Sequence, residues 1–465
     1  MKERCCKRTW VDFLGNSAVG VTGSAYLVNH KQYQILLDCG MIQGQGDVYS
    51  DYKANYEQAR KFKPKLIDAI LVSHSNLDHF AMLPYLYSKG CSATIYVPEG
   101  CKKYIAVLLE DTLKIMQSDC LKIQKKKGRK ASPLFEEGDI AKTLSHMIEI
   151  PFNYEIHINE DIWFEFLQAG HIQHAASIFL TLKRGSVLRK IYYSGDVGGP
   201  HKQLYVEERQ TPKRFDLGIM ENTYNSPARP NNAKDRENDL NKIIDVIRDY
   251  TKTIIPCIAQ NRSQVILTEL YNLWKNDKIP KDIKVYFDAP LGIKLSNLWD
   301  GKEWEEVWNW PNLVKVQDYS FSQELQSHKD EKCVVVAGAG MCNSGRIVSW
   351  LKNYLEYPST HLLFVGYCPP YGIAHEIKAC SKYVTIENVS VANRCNYTEL
   401  RSFSSHASYE ELIDFYTRID GNKYCLVHGD YENKVEFSRV LQDKLIECGK
   451  STKVVCTNMD TKIYF

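Results

Sequence analysis

Five short apolar runs, far apart in the chain, each give way at once to a histidine or an aspartate. Asp38 closes Leu36-Leu37-Asp38-Cys39-Gly40, and His74-Ser75-Asn76-Leu77-Asp78-His79 follows a run ending at Ser73. His171 follows Ala169-Gly170, Asp196 ends Tyr193-Ser194-Gly195-Asp196, and His428 ends Leu426-Val427-His428-Gly429. Side chains at strand ends, and in the loops just after them, can converge on one point, which a metal site requires. The glycines beside most of these residues let the backbone turn sharply or come close to a ligand. Two histidines and an aspartate between positions 74 and 79 offer neutral imidazoles and a hard carboxylate, a mixed set that Zn²⁺ or Mn²⁺ accepts. Alone, that cluster reads equally well as an ordinary polar loop. Its repetition across separate segments favours a metal centre.

The rest of the chain alternates strand-like and helix-like stretches, so the fold class is α/β throughout. Strands are expected at Ala25–Val28, Gln34–Leu37, Ile67–Ser73, Ile162–Leu167, Ser177–Leu182, Lys190–Ser194 and Leu217–Met220, with helices at Phe80–Ser88 and Lys103–Lys126. The polar, Pro- and Asn-rich stretch Asn225–Asn238 reads as a boundary. Beyond it the alternation restarts: strand Thr253–Ile258, helix Arg262–Trp274, and strands Lys284–Phe287, Cys333–Ala337 and His361–Gly366 around helix Gly345–Tyr354. The chain closes with helix Tyr409–Thr417, strand Tyr424–Val427, helix Asn433–Cys448 and a last strand. A chain of 465 residues exceeds one comfortable core, so two domains are expected.

Composition narrows the setting. Hydrophobic and charged fractions of 44% and 25% are ordinary for a folded soluble protein. No run approaches the roughly 20 apolar residues of a membrane helix, and Met1–Trp10 lacks the apolar core of a secretory signal. Fifteen cysteines without framework spacing, Cys5 and Cys6 the only adjacent pair, fit a reducing compartment. A cytoplasmic protein without membrane attachment is expected. A net charge of +3 does not by itself announce a nucleic-acid binder. The basic run Lys122–Lys130 reads either as a solvated helix end or as a rim that attracts phosphate.

In chain order, the Asp38, His74–His79, His171, Asp196 and His428 segments resemble the metal-site motifs of the metallo-β-lactamase fold. The middle of the chain resembles the β-CASP cap of RNA-processing nucleases, relatives of the cleavage-and-polyadenylation endonuclease and of ribonuclease J. Supporting matches are Val21-Thr22-Gly23-Ser24, Glu221-Asn222-Thr223-Tyr224, Asp288-Ala289-Pro290, Gly340–Arg346 and Phe403-Ser404-Ser405-His406. The resemblance implies an αββα sandwich formed by residues 1–225 and 405–465, with an α/β cap inserted at 226–404. It implies two zinc ions, manganese being an alternative. His74 and His171 would hold one, with Asn76 standing where a third histidine is usual. Asp78, His79 and His428 would hold the other, Asp196 would bridge them, and Asp38 would orient the site from behind. Such a pair, about 3.5–4 Å apart, activates a hydroxide and clamps a phosphodiester. His406, beside Glu221, would protonate the leaving oxygen.

The resemblance therefore implies a metal-dependent phosphodiesterase that hydrolyses single-stranded RNA at the cleft between sandwich and cap. Histidine at position 428 resembles the RNA-acting members more than the DNA-acting ones. Gly340, Ser404 and Ser405 offer groups to phosphates, or form tight turns. Arg262 and Arg346 pair phosphates, or brace their helices. Asn76 departs from the pattern, because an amide carbonyl is a poor zinc ligand. Three arrangements accommodate it: two metals with one held weakly, one metal only, or a chain that has lost catalysis and binds nucleic acid as a scaffold subunit. His174, three residues after His171, is a candidate substitute for the missing imidazole. Ser408 stands where an aspartate is common, which bears on the orientation of His406. DNA as substrate, a homodimer and a partner subunit are each compatible with the sequence.

Overall fold

The computed structural model describes residues 8–200, 206–227, 233–366, 368 and 371–465. Contacts divide the chain into a first unit, Met1–Arg229 with Ser405–Phe465, and a second unit, Pro230–Ser404.

The first unit is built on two seven-stranded sheets. One runs, edge to edge, through Lys462–Tyr464, Trp10–Phe13, Tyr26–His30, Tyr33–Leu37, Ala69–Leu71, Thr94–Pro98 and Met147–Ile150. The other runs through Lys453–Cys456, Gly421–Val427, Phe215–Glu221, Val187–Tyr193, Ala176–Arg184, Ile162–Gln168 and Ile156–Asn159. A shared core joins them, with Val28, Ile35, Leu37 and Leu71 of the first sheet packed in one cluster with Phe164, Ile178, Leu217 and Val427 of the second. The period of two is plain along Gly421–Val427. Cys425 and Val427 point into that core, while Tyr424 and Leu426 pack with Leu412, Phe415 and Phe437 of the helices Tyr409–Arg418 and Tyr431–Glu447. Helices thus cover the outer face, and the layers are those of an αββα sandwich.

Strand direction decides where the site lies. Leu37 pairs with Leu71 in parallel, so Asp38 and the segment after Leu71 emerge at one end of the first sheet. In the second sheet Tyr193 pairs with Ile219 and Glu221 with Val427, again in parallel. Asp196, Glu221 and His428 therefore emerge together. Ligands gather at the carboxyl ends of parallel strands because the loops leaving them share one side of the sheet.

Two expectations about elements need correction. The stretch expected as one helix at Phe80–Ser88 is two, Leu77–Phe80 and Leu83–Ser88. The boundary stretch Asn225–Asn238 lies partly outside the described residues, and from Ala233 it is already helix, continuing to Asp249. Its charged first turns hid an apolar face that buries Ile243 and Ile247 further on.

The second unit centres on a six-stranded sheet in the order Leu313–Lys315, Lys284–Asp288, Cys333–Ala337, Lys252–Pro256, Thr360–Phe364, Asn396–Glu399. Every pairing in it is parallel. Cys333–Ala337 and Thr360–Phe364 are buried along their whole length, which is why Cys333–Ala337 reads as an unbroken apolar run rather than an alternating one.

The basic run ends the helix Cys101–Lys127, whose last turn carries Lys125, Lys126 and Lys127 and is closed by Gly128 at φ 61°. The other end of that helix meets His174 at Gly100. At 1.5 Å per residue its 27 residues span ~40 Å, so the lysines stand far along the helix from the His171 loop. There Lys127 and Arg129 lie over the ring of Tyr49, and positive charge meets the negative end of the helix dipole. Among the described residues no helix is long and apolar enough to cross a membrane, and the described cysteines are all unpaired. Cys5 and Cys6 lie outside the described residues.

Candidate metal centre

Two groups of three side chains meet at the strand ends: His74, His171 and Asp196, and Asp78, His79 and His428. Within each group the ligand atoms lie within 4.8 Å of one another. Asp196 faces both. Its Oδ2 is 3.5 Å from His74 Nε2 and 3.6 Å from His171 Nε2, and its Oδ1 is 3.3 Å from His79 Nε2 and 3.6 Å from His428 Nε2. Asp78 Oδ2 stands 3.1 Å from His428 Nε2 and 3.6 Å from His79 Nε2. The Nε2 atoms of His79 and His428 approach to 3.4 Å.

Backbone geometry fixes these directions. Asp38 and His428 both adopt φ 57°, a left-handed conformation that turns each side chain sharply off the end of its strand. The His428 amide donates to the Ser17 carbonyl at 2.6 Å. Behind the ligands, Asp38 accepts from His79 Nδ1, from the Ser73 amide and hydroxyl, and from Tyr193 Oη at 2.6 Å. His428 Nδ1 donates to Thr223 Oγ1 at 2.9 Å, and His74 Nδ1 to Ser73 Oγ at 3.0 Å. Each such bond leaves Nε2 as the free lone pair, the atom turned toward the partner ligands.

Protonation follows the surroundings. Burial, then the neighbouring His79, hold His74 below the usual imidazole range, and burial with His406 holds His171 well below it. Burial also presses on His79 and His428, but Asp196 and Asp78 outweigh it and raise both. Burial raises the Asp196 carboxyl, yet His428, His79 and His406 together hold it well below the usual carboxylate range. The set suits a divalent cation. Imidazoles and carboxylates converge in a buried place, and among the described residues His74 Nε2 has no hydrogen-bond partner of normal geometry there. The donors are nitrogen and oxygen, as zinc or manganese accepts.

Beside the ligands, His406 Nδ1 donates to Glu221 Oε1 at 3.2 Å, and its Nε2 lies 3.8 Å from Asp196 Oδ2. Glu221 is buried and accepts also from the amides of Val197 and Thr223. Burial raises its carboxyl, but His406 more than offsets that and it is held low, as an anion that can carry an imidazolium.

Asn76 stands at the N-cap of the helix Leu77–Phe80 without capping it; its Nδ2 donates instead to His171 Nε2 at 3.2 Å. His174, the candidate substitute, adopts φ 63°, its ring lies against Gly100 and Tyr104, and it belongs to neither of the two groups. Ser408 caps the helix Tyr409–Arg418 in a reciprocal pair with Glu411, so its side chain serves that helix.

Of the phosphate candidates, Ser405 belongs to the first unit and Ser404, Gly340, Arg262 and Arg346 to the second. Arg346 donates to the carbonyls of Gln317 and Asp318, lies 3.8 Å from Asp288, and stacks over Tyr319. Arg262 donates to the Val365 carbonyl. Both guanidiniums are thus engaged with their own unit. Sequence reasoning missed Thr223, Tyr193 and Ser73. Thr223 was legible as part of the Glu221–Tyr224 motif, whereas Tyr193 carried no signal beyond closing the strand before Asp196.

The chain matches the Metallo-beta-lactamase superfamily over residues 18–157, the Beta-Casp domain over 263–377, and the Zn-dependent metallo-hydrolase RNA specificity domain over 391–449. It is 30% identical to a ribonuclease of Thermus thermophilus across 90% of this chain and 93% of that one. It is 24% identical to an RNase J-like protein of Methanocaldococcus jannaschii, over 89% and 91% of the two chains. Integrator complex subunit 11 of Danio rerio is 24% identical, over 93% and 72%. A solved structure of a protein of unknown function from Enterococcus faecalis shares the fold, with a TM-score of 0.57 at 16% identity over 98% of this chain and all of that one.

Proposed function

Because the chain belongs to the β-CASP branch of the metallo-β-lactamase superfamily, we propose that it is a metal-dependent ribonuclease that hydrolyses single-stranded RNA. The observation that carries this reading is the placing of two three-ligand groups around Asp196, with the His406–Glu221 pair alongside. His74, His171 and Asp196 would hold one metal, and Asp78, His79 and His428 the other, with Asp196 shared. When bound, the metals supply Lewis acidity, which makes a nucleophile available from water at neutral pH and offsets phosphodiester charge.

The protein's own groups do the rest. Asp38, through His79, and Thr223, through His428, hold imidazoles in the tautomer that presents Nε2. Glu221 keeps a proton on His406 Nδ1 and stabilises the imidazolium, so Nε2 can give its proton to the leaving oxygen. The 391–449 match to an RNA specificity domain spans both His406 and His428, which supports RNA over DNA. Selection of the target RNA is assigned to a partner subunit, in line with the relative named as a subunit of the Integrator complex.

Asn76 favours a second reading, a binding subunit without catalysis. Cleavage of end-labelled single-stranded RNA and DNA, with Zn²⁺ or Mn²⁺ and with Asp78→Ala in parallel, separates the two. RNA cleavage that vanishes in the variant is expected. Folded, metal-loaded protein that binds RNA and cuts neither strand would favour the second reading, and cutting of DNA alone would replace RNA as substrate.

A further inference from the structure

Resting on that metal-centre reading, we infer that its two positions are unequal: Asp78, His79 and His428 load first and hold tightly, while Asn76 keeps the position at His74, His171 and Asp196 weak and exchangeable.

Asparagine at an N-cap normally turns its side chain back onto the free amides of the first helical turn. Asn76 has that place in the chain and does not do so. Its amide reaches across to His171 and donates to Nε2 at 3.2 Å. That nitrogen is the one 3.6 Å from Asp196, so the lone pair a metal would take is held by an N–H. Loading this position requires the hydrogen bond to break and the amide to turn. The carbonyl oxygen it could then present is a poor ligand for zinc compared with an imidazole.

The outer contacts differ in the same sense. His79 is anchored by the buried carboxylate of Asp38 at 2.7 Å, and His428 by the hydroxyl of Thr223 at 2.9 Å. On the other side His74 has only the Ser73 hydroxyl, and the buried Nδ1 of His171 has no hydrogen-bond partner among the described residues. Outer partners of this kind fix ring orientation and raise ligand basicity, and losing one typically lowers metal affinity about 10–100-fold. Each side offers two imidazoles, but the His171 side has only the shared carboxylate of Asp196 and leaves His171 without an outer anchor, whereas the Asp78 side adds a carboxylate of its own and anchors both of its rings.

Titration of metal-free full-length protein with Zn²⁺ against a competing chromophoric chelator reads both positions without recourse to activity. Wild type is expected to bind two ions with dissociation constants at least about tenfold apart. His428→Ala should lose the tight event and keep the weak one. Asn76→His should bring the two constants close together. Asn76→Ala removes the competing N–H and should leave the weak event as strong as before or stronger; it also covers the case in which Asn76→His fails to fold, since alanine asks for no extra room. Two equally tight events in wild type would overturn the inference. So would a tenfold weakening in Asn76→Ala, which would make the amide oxygen a ligand rather than a competitor. Folded protein that binds no zinc would instead overturn the metal-centre reading beneath it.

Discussion

Nδ1 of His79 donates to Oδ2 of Asp38 at 2.7 Å, and both side chains are shut off from solvent. The same carboxylate accepts from Tyr193 and from Ser73, so one anion, at the end of a strand in the first sheet, sets the direction of a ligand and is steadied from the opposite sheet. Asp38→Asn keeps the shape and presents an N–H where donors already crowd. Its zinc affinity, measured by chelator competition, should fall about 10–100-fold. Tyr193→Phe removes one of several donors and should fall less, by under tenfold.

His406 belongs to neither group of candidate ligands, although its Nε2 lies 3.8 Å from Asp196 Oδ2 and its ring centroid 4.4 Å from that of His171. His406→Ala should therefore keep its zinc content and lose turnover by about 10²–10⁴-fold, the usual share of a general acid. Metal analysis beside single-turnover cleavage checks this, and a variant that loses zinc along with turnover would make His406 a ligand instead.

His174→Ala should leave zinc affinity unchanged, because its ring packs on Gly100. Gly100 itself has φ +89°, and a Cβ there would come 2.3 Å from the His174 ring. Gly100→Ala should cost about 2–3 kcal/mol in a denaturant titration. Combined with His174→Ala, the clash disappears and only the backbone cost of about 1 kcal/mol remains.

Lys434 is fully buried, donates to the Ala18 carbonyl at 2.6 Å, and is pushed down to about 8 by burial. In the unfolded chain the same amine stays protonated to about 10.4. Between these values the unfolded state binds the extra proton, so rising pH favours the folded state. Relative to Lys434→Met, wild type should gain stability from pH 8 to 10, by a few kcal/mol at most. A flat difference across that window would place the amine in water.

The candidate ligands were legible because the segments that carry them follow apolar runs, so their place at strand ends could be read without knowing the sheet. What could not be read was pairing. Nothing in the sequence says that Tyr193 lies across from Asp38, or that Thr223 meets His428, since each contact joins residues brought together only by the sandwich. Asn76 was visible as a departure, but the direction of its amide was not. The helix beginning at Ala233 was hidden by its own charged first turns, which resemble a loop until Ile243 and Ile247 are seen to be buried. The placing of His174 could not be read from spacing, since a left-handed backbone at that residue swings the ring to Gly100.

The contact between Glu221 and His406 has one more effect. The chain departs for its second unit soon after Glu221 and comes back at Ser405, immediately before His406. The pair proposed to donate the proton therefore also ties off the insertion, and Gly198 pairs with His406 on the same returning stretch of chain. A different insertion spliced between these two residues would inherit both its anchorage and its acid. In such a lineage, specificity can drift while the hydrolytic machinery is handed down whole.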